Sequence, residues 1–368
     1  MTSATHVGGD ASAETTSSAR LQSSVSEIVA RTLAGDRLAI ARLISWMERG
    51  GVEARLALTQ LYPHTGRAHL VGVTGAPGTG KSTLVNEMAK AYRRHDEAVG
   101  IVAVDPTSPF SGGALLGDRI RMRDVATDPH IFIRSMATRG SLGGLAQATA
   151  DATRVLDAAG YPVILVETVG AGQTEVDIAR LAHTTVVLQT PASGDDIQAI
   201  KAGILEVADI LVVNKADLPG AENTVAALQA MLDLNSTNGQ PHHGGMVPAS
   251  QTRDVVVEGA VWRPPVLRTC ALHGQGIDEL LAAIAAHWQH QCESGLRERR
   301  ERERTTAELR DILCHTLLKD LLARVSDTDV SGVVDGVVAR QEDPYSAAQR
   351  LIAQARLASA GQRSKGPR

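Results

Sequence analysis

The chain of 368 residues has a formal net charge of −4, with 43% hydrophobic but only 2% aromatic residues. That balance excludes a generally basic nucleic-acid binder and leaves Ala, Val, Leu and Ile to fill the interior. No apolar run approaches the ~20 residues needed to span a bilayer, and Cys270, Cys292 and Cys314 show no C-x-x-C spacing, so a soluble, cytoplasmic protein without membrane or nucleic-acid partners is expected.

Residues 1–24 are rich in Ser, Thr, Ala and Gly, lack the features of a secretion signal, and read as a disordered tail. From 25 to 67, Ile28, Val29, Leu33, Leu38, Ile40, Leu43, Ile44 and Met47 recur at three- and four-residue intervals around a turn at Gly35-Asp36, which predicts a helical arm. Between 68 and 290, the short apolar runs His69–Val73, Val99–Val104, Ile131–Ile133, Val163–Val166, Thr185–Leu188, Ile210–Val213 and Val266–Thr269 alternate with amphipathic stretches. That is the pattern of an α/β domain with a mostly parallel sheet, whose ligands bind beyond the carboxyl ends of the strands. From 291 to 358 the composition turns charge-dense, Arg297 to Arg304, and then carries Leu309, Ile312, Leu313, Leu317, Leu318, Leu321 and Leu322 along one long helix. This stripe either packs on the preceding domain or forms a dimer seam. Asp343-Pro344 caps a last helix through about Ala358, and 359–368 reads as a second tail.

Gly75-Ala76-Pro77-Gly78-Thr79-Gly80-Lys81-Ser82-Thr83 fits the G-x-x-x-x-G-K-[ST] phosphate loop directly after the first strand. Its glycines let successive N–H groups point at phosphates, and the helix beginning at Lys81 adds its positive N-terminal dipole. Lys81 is expected to reach the β- and γ-phosphates. Ser82 is expected to offer its hydroxyl to Mg2+, a hard cation that takes oxygen ligands.

The base-reading segment is Asn214-Lys215-Ala216-Asp217, an N-K-x-D signature at the end of another strand. The Asp217 carboxylate can accept from the N1 and N2 donors of guanine, which adenine does not offer, while Lys215 lays its stem along the base. Thr269-Cys270-Ala271-Leu272 follows the last strand and matches the loop with which G proteins present backbone N–H groups to the guanine O6. Cys270 stands where Ser is more usual; because the backbone makes that contact, the change is not expected to weaken binding. GTP and GDP, with Mg2+, are the expected ligands.

Two further strand ends carry acids: Asp105 before Pro106, and Glu167 before Thr168-Val169-Gly170. Glu167 takes the acidic position of D-x-x-G, where a carboxylate holds the Mg2+ water shell and Gly170 gives an N–H to the γ-phosphate; Asp105 joins the set. The plainer alternatives are a helix cap for Glu167 and a turn residue for Asp105. Ala171 occupies the place where Ras-like enzymes carry their water-positioning Gln, and Gln173 is out of register, so slow unaided hydrolysis is expected. Arg121, Arg139 and Lys201 are candidate charge stabilisers that a partner would bring into place.

The run Val104 to Met122, with Asp105-Pro106-Thr107-Ser108 and Gly117-Asp118-Arg119-Ile120-Arg121, closely resembles the hallmark of the MeaB/ArgK G proteins, relatives of the methylmalonic aciduria type A protein. Met136 to Gly144, Glu167 to Gln173 and Gly194 to Gly203 agree, and the likeness spans residues 25 to 358. The resemblance implies a P-loop NTPase G domain of the SIMIBI class with N- and C-terminal helical extensions. It implies a GTPase that serves as chaperone to an adenosylcobalamin-dependent acyl-CoA mutase, gating cofactor loading and protecting or reactivating the enzyme. An adenosyltransferase is a further implied partner, and the family's homodimers favour the seam reading of the leucine stripe. Switch regions map onto about Asp105–Met122, Glu167–Gln173 and Thr174–Asp196. Thr190–Gly194 departs from a stretch that is usually richer in Gly, which leaves the third switch open.

Two other readings stand beside this one. A kinase of the amino-acid (LAO/AO) transport type would pass the γ-phosphate to an acceptor rather than to water. A metallochaperone GTPase would need clustered Cys or His; His242-His243 in a Gly-rich loop and His287 with His290 on one helical face are expected to face solvent.

Overall fold

The computed structural model of the chain describes residues 10–105, 122–137, 144–168, 174–191, 207–237 and 261–363. They fall into two compact units, 1–297 and 298–368. The segments 106–121, 138–143, 169–173, 192–206 and 238–260 lie outside the described residues. With them go Gly170, Arg121, Arg139, Lys201, His242, His243 and most of the expected switch regions.

The first unit opens with three helices, α1 (Asp10–Leu33), α2 (Arg37–Arg49) and α3 (Val52–Leu61). Helix α1 begins inside the span that composition reads as a tail. Residues 10–33 contain neither Gly nor Pro, and Ala, Glu, Arg and Leu favour helix there. Asp36 starts α2: its Oδ1 accepts from the N–H groups of Leu38 at 2.9 Å and Ala39 at 3.3 Å, while Oδ2 receives Arg31 at 2.6 Å.

Seven strands follow: β1 (His69–Gly75), β2 (Val99–Asp105), β3 (Ile131–Ala137), β4 (Val163–Thr168), β5 (Thr184–Gln189), β6 (Ile210–Asn214) and β7 (Val266–Thr269). They form one sheet in the order β3-β2-β4-β1-β5-β6-β7, and every pairing is parallel. The intervening helices are α4 (Lys81–Arg94), α5 (Arg123–Ala126), α6 (Gly144–Ala158), α7 (Thr174–Leu181), α8 (Ala221–Thr237) and α9 (Ile277–Glu293). The α/β fold expected from the alternation is therefore the one observed. β1 and β4 are buried at every position, as required of strands covered on both faces.

Alternate strand residues serve opposite layers. Leu70, Val102, Ile164 and Val166 join Ile40, Leu43, Ile44, Leu61 and Leu156 in a core beneath α1–α3, α6 and α7. Val71, Val73, Ile101, Leu165 and Val186 join Leu84, Met88, Leu280 and Ile284 in the core under α4 and α9. Glycines let two helices approach the sheet: a Cβ on Gly72 would fall 2.7 Å from Ile178, and one on Gly100 would fall 3.0 Å from Leu156.

The expectation that His287 and His290 face solvent is corrected. His287 is buried at the amino end of the sheet: Nδ1 lies 2.9 Å from the Thr184 hydroxyl and Nε2 3.3 Å from Asp209. His290 is half-buried against the Trp262 ring. The reason is periodic: Leu280, Ile284, His287 and Gln291 share the face of α9 that turns to the sheet. Trp288, one residue on, stacks against His69 at 4.3 Å.

In the second unit, α10 (Leu296–Leu322), which begins two residues before the unit boundary, has no buried residue. α11 (Asp327–Val338) is capped by Ser326, whose hydroxyl accepts from the Asp329 N–H at 3.1 Å. α12 (Pro344–Arg363) is capped by Asp343, which accepts from the N–H of Tyr345 at 2.9 Å and of Ser346 at 3.1 Å. Among the described residues no helix is long and apolar enough to cross a membrane.

Candidate functional site

β1 delivers Gly75 to the carboxyl rim of the sheet, and α4 begins at Lys81, so Ala76 to Gly80 form the intervening loop. Gly75 has φ +142°, and a Cβ there would sit 2.4 Å from the Leu188 carbonyl oxygen of β5. Gly78 and Gly80 also have positive φ, +80° and +92°, which a side chain would strain. Thr79 closes the turn, its hydroxyl donating to the Ala76 carbonyl at 2.9 Å. Ala76, Pro77, Gly78 and Thr83 are exposed, Ser82 is half-buried, and Thr79 and Lys81 are buried. The Lys81 ammonium folds back over the loop and donates to the carbonyls of Gly75 at 2.6 Å and Ala76 at 3.1 Å. The loop thus holds a cation at its mouth.

Across the sheet, β6 ends at Asn214, paired in register with Thr269 of β7. Buried Asn214 is a three-way junction. Its Oδ1 accepts from the Thr269 hydroxyl at 3.0 Å and the Ala271 N–H at 3.1 Å, and its Nδ2 donates to the Thr79 carbonyl at 2.8 Å. A Cβ on Gly80 would fall 2.5 Å from that Nδ2, so the missing side chain is what admits the amide. Lys215 then adopts φ +57°, rare for a residue with a side chain, and turns the chain so that Asp217 emerges exposed at the rim.

Facing it, Cys270 donates its thiol to Asp217 Oδ1 at 3.0 Å. This contact is the largest influence holding the Asp217 carboxyl below the usual carboxylate range, and the same pairing pushes the Cys270 thiol up. Ala271 is buried and Leu272 is 79% exposed.

The acids come from the other half of the sheet. Glu167 is wholly buried near the end of β4, in register with Val73 of β1 and Ala103 of β2. Thr168 beside it brings its hydroxyl 3.4 Å from that of Thr74. Asp105 is the last residue of β2 and pairs with Ala137 of β3; its backbone is at the same rim. One edge therefore gathers the phosphate loop, Asp105, Glu167, Asn214, Asp217 and Cys270. Thr74 and the Leu188 carbonyl also shape it and carry no motif by which sequence could have marked them; strand adjacency alone brings them there.

The family model described as "Methylmalonyl Co-A mutase-associated GTPase MeaB" matches residues 40–326. A Pyrococcus horikoshii protein named for GTPase activity is 45% identical over 328 residues, covering 89% of this chain and 97% of its own. The mitochondrial methylmalonic aciduria type A homolog of Caenorhabditis elegans is 30% identical over 294 residues, 76% of this chain and 69% of the relative. Among solved structures, one titled as an LAO/AO transport system kinase superposes with a TM-score of 0.64 at 27% identity, covering 89% of this chain and 96% of that one. With the family model spanning most of the chain and a phosphate loop and guanine signature on one rim, this protein is a GTPase that belongs to the MeaB family.

Proposed function

We propose that GTP binds along this rim and that its hydrolysis gates a chaperone cycle on an adenosylcobalamin-dependent acyl-CoA mutase. The observation that carries the nucleotide part is the Asn214 junction, which ties the phosphate loop to the base-reading turn within hydrogen-bond distance. In this reading Gly75 to Thr83 cradle the phosphates, and Lys81 exchanges the carbonyls of Gly75 and Ala76 for phosphate oxygens. Asp217 accepts from the guanine N1 and N2 donors, with Lys215 along the base and Cys270, Ala271 and Leu272 at its O6 edge.

The donor set fits Mg2+. A Ser82 hydroxyl in the first turn of α4, the buried Glu167 carboxylate and the Asp105 carboxyl are all hard oxygen ligands. When bound, the ion neutralises charge on the β- and γ-phosphates. Gly170 is assigned the γ-phosphate contact that couples hydrolysis to the following segment.

The mutase role rests on the family name and on the methylmalonic aciduria relative. An adenosyltransferase that supplies the cofactor is a second partner. A homodimer is supported by α10, whose Leu309, Ile312, Leu313, Leu317, Leu318 and Leu322 are each at least 43% exposed on a helix with no buried residue. The cytoplasm is the assigned compartment.

The decisive experiment mixes the protein with methylmalonyl-CoA mutase and adenosylcobalamin, with GTP, GDP or no nucleotide, and follows complex formation, cofactor transfer and inorganic phosphate release. A complex whose cofactor loading changes with the nucleotide is expected. Absence of any complex in all three states defeats the chaperone reading, and phosphate transferred to an acceptor instead of released defeats hydrolysis as the driving step.

A further inference from the structure

We infer that Leu38, Arg42 and Arg49, on the solvent face of α2, dock a carboxylate-bearing protein surface, that of the client mutase. The identity of the partner rests on the chaperone reading above. The face itself is read from the helical arm and takes no residue from the nucleotide rim.

Leu38, Arg42 and Arg49 share one stripe of α2, opposite the buried Ile40, Leu43, Ile44 and Met47. Leu38 is 77% exposed in the first turn, and both arginines are exposed. The Arg42 guanidinium lies over the Trp46 ring, 5.4 Å from its centroid, so part of its freedom is lost before any partner arrives. The helix beneath is equally fixed: Asp36 caps it, Arg134 of β3 holds Glu48 at 2.6 Å, and Arg37 donates to the Pro129 carbonyl at 2.6 Å. A rigid face loses little entropy on association.

The charges of this arm do not cancel. Asp36 is engaged by Arg31 and Glu48 by Arg134. Among the described residues no acid pairs with Arg42, Arg49 or the exposed Arg55 of α3, and Glu53 is the acid left on α2 and α3 to oppose them. The cationic excess is local, because the whole chain carries −4. It therefore selects an anionic partner. Three guanidiniums fall short of the about four to eight basic residues that mark an anionic-lipid patch. An exposed leucine beside an arginine stacked on tryptophan is instead the composition of a protein interface.

The test measures association of the full chain with methylmalonyl-CoA mutase, with GTP, GDP or no nucleotide, at about 50 and 300 mM salt. Arg42→Glu with Arg49→Glu is expected to weaken the complex at least about tenfold at low salt and to flatten its salt dependence. Arg42→Lys with Arg49→Lys keeps the charge and is expected to stay within about threefold of the wild type. Leu38→Ala is expected to weaken the complex about threefold. GTP affinity, measured in parallel, should be unchanged in all three variants.

A wild type that binds the mutase, with a glutamate pair that binds it equally well, overturns the inference alone. So does a lysine pair as weak as the glutamate pair, and this arm stands even where the glutamate pair does not fold. Wild-type binding to phosphatidylserine vesicles that the glutamate pair abolishes, with mutase affinity intact, transfers the face to lipid and also overturns it. A wild type that forms no complex in any nucleotide state removes the chaperone reading and this inference together.

Discussion

The Asn214 side-chain amide donates to the Thr79 carbonyl over 2.8 Å, although 135 residues separate them in sequence. Phosphate loop and base-reading turn are therefore joined through a buried side chain, and substitutions there should affect binding and stability together.

Asn214→Ala strands the Thr79 carbonyl, the Thr269 hydroxyl and the Ala271 N–H without their partner. The expected cost is about 2–4 kcal/mol of folding stability and at least about tenfold in GTP affinity. Urea denaturation and calorimetry measure both, and a folded variant with unchanged affinity would refute the junction's role.

Two loop glycines should rank differently. At Gly75 an added methyl collides with the Leu188 backbone at 2.4 Å, whereas at Gly78 nothing lies within 4 Å and only the φ of +80° opposes a side chain. Gly78→Ala is expected to cost about 1–2 kcal/mol. Gly75→Ala must also displace β5 or the loop, and its thermal stability and nucleotide affinity should both fall further. Equal losses in the two variants would contradict the packing argument.

Acid should weaken the fold through His69. Burial, reinforced by His287 and Arg297 and opposed in part by Asp209, lowers its imidazole from 6.5 to about 3. His183 and Trp288 pack alongside, and the Thr184 hydroxyl lies 2.8 Å from Nε2. The unfolded chain takes up a proton near pH 6.5 that the folded chain refuses until about pH 3. Stability from this group is thus complete above pH 6.5 and declines as pH falls through that window, by at most about 1.4 kcal/mol per pH unit. Unfolding midpoints at pH 7.5 and 5.5 should separate more in the wild type than in His69→Gln. Identical separations would show that His69 does not carry the dependence.

Charges in the α10 stripe test the seam. Leu313 and Leu317 are 52% and 65% exposed, so Leu313→Lys with Leu317→Lys should leave the nucleotide domain folded. If α10 forms the proposed seam, light scattering after size exclusion is expected to find a dimer for the wild type and a monomer for the double variant. A dimer that survives both lysines places the contact elsewhere.

The parts of the site that sequence made legible are those where spacing itself is the requirement. Gly75 and Gly80 take positive φ at the two places where the phosphate-loop motif demands glycine, and strand followed by helix follows from apolar periodicity. The parts it hid depend on which strands become neighbours. Glu167 lies beside Val73 only because β4 inserts between β2 and β1, an order that no local pattern dictates. His287 shares a helical face with Leu280 and Ile284, so its burial is periodic; what the sequence hides is its partners, Thr184 and Asp209, which come from segments that no helical wheel contains. Cys270 was legible as a departure from Ser, but that its sulfur meets Asp217 requires the distance.

The N-terminal helices share their oily layer with the sheet: Ile40, Leu43 and Ile44 are wholly enclosed together with Val102, Ile164 and Val166. Arg134 of β3 binds Glu48 of α2 at 2.6 Å, and Arg37 reaches the Pro129 carbonyl at 2.6 Å, so polar clasps surround that seam as well. These helices are a wall of the nucleotide-binding body and not a detachable appendage. A trimmed expression version starting at Ala68 would leave that wall bare and precipitate, however intact its phosphate loop.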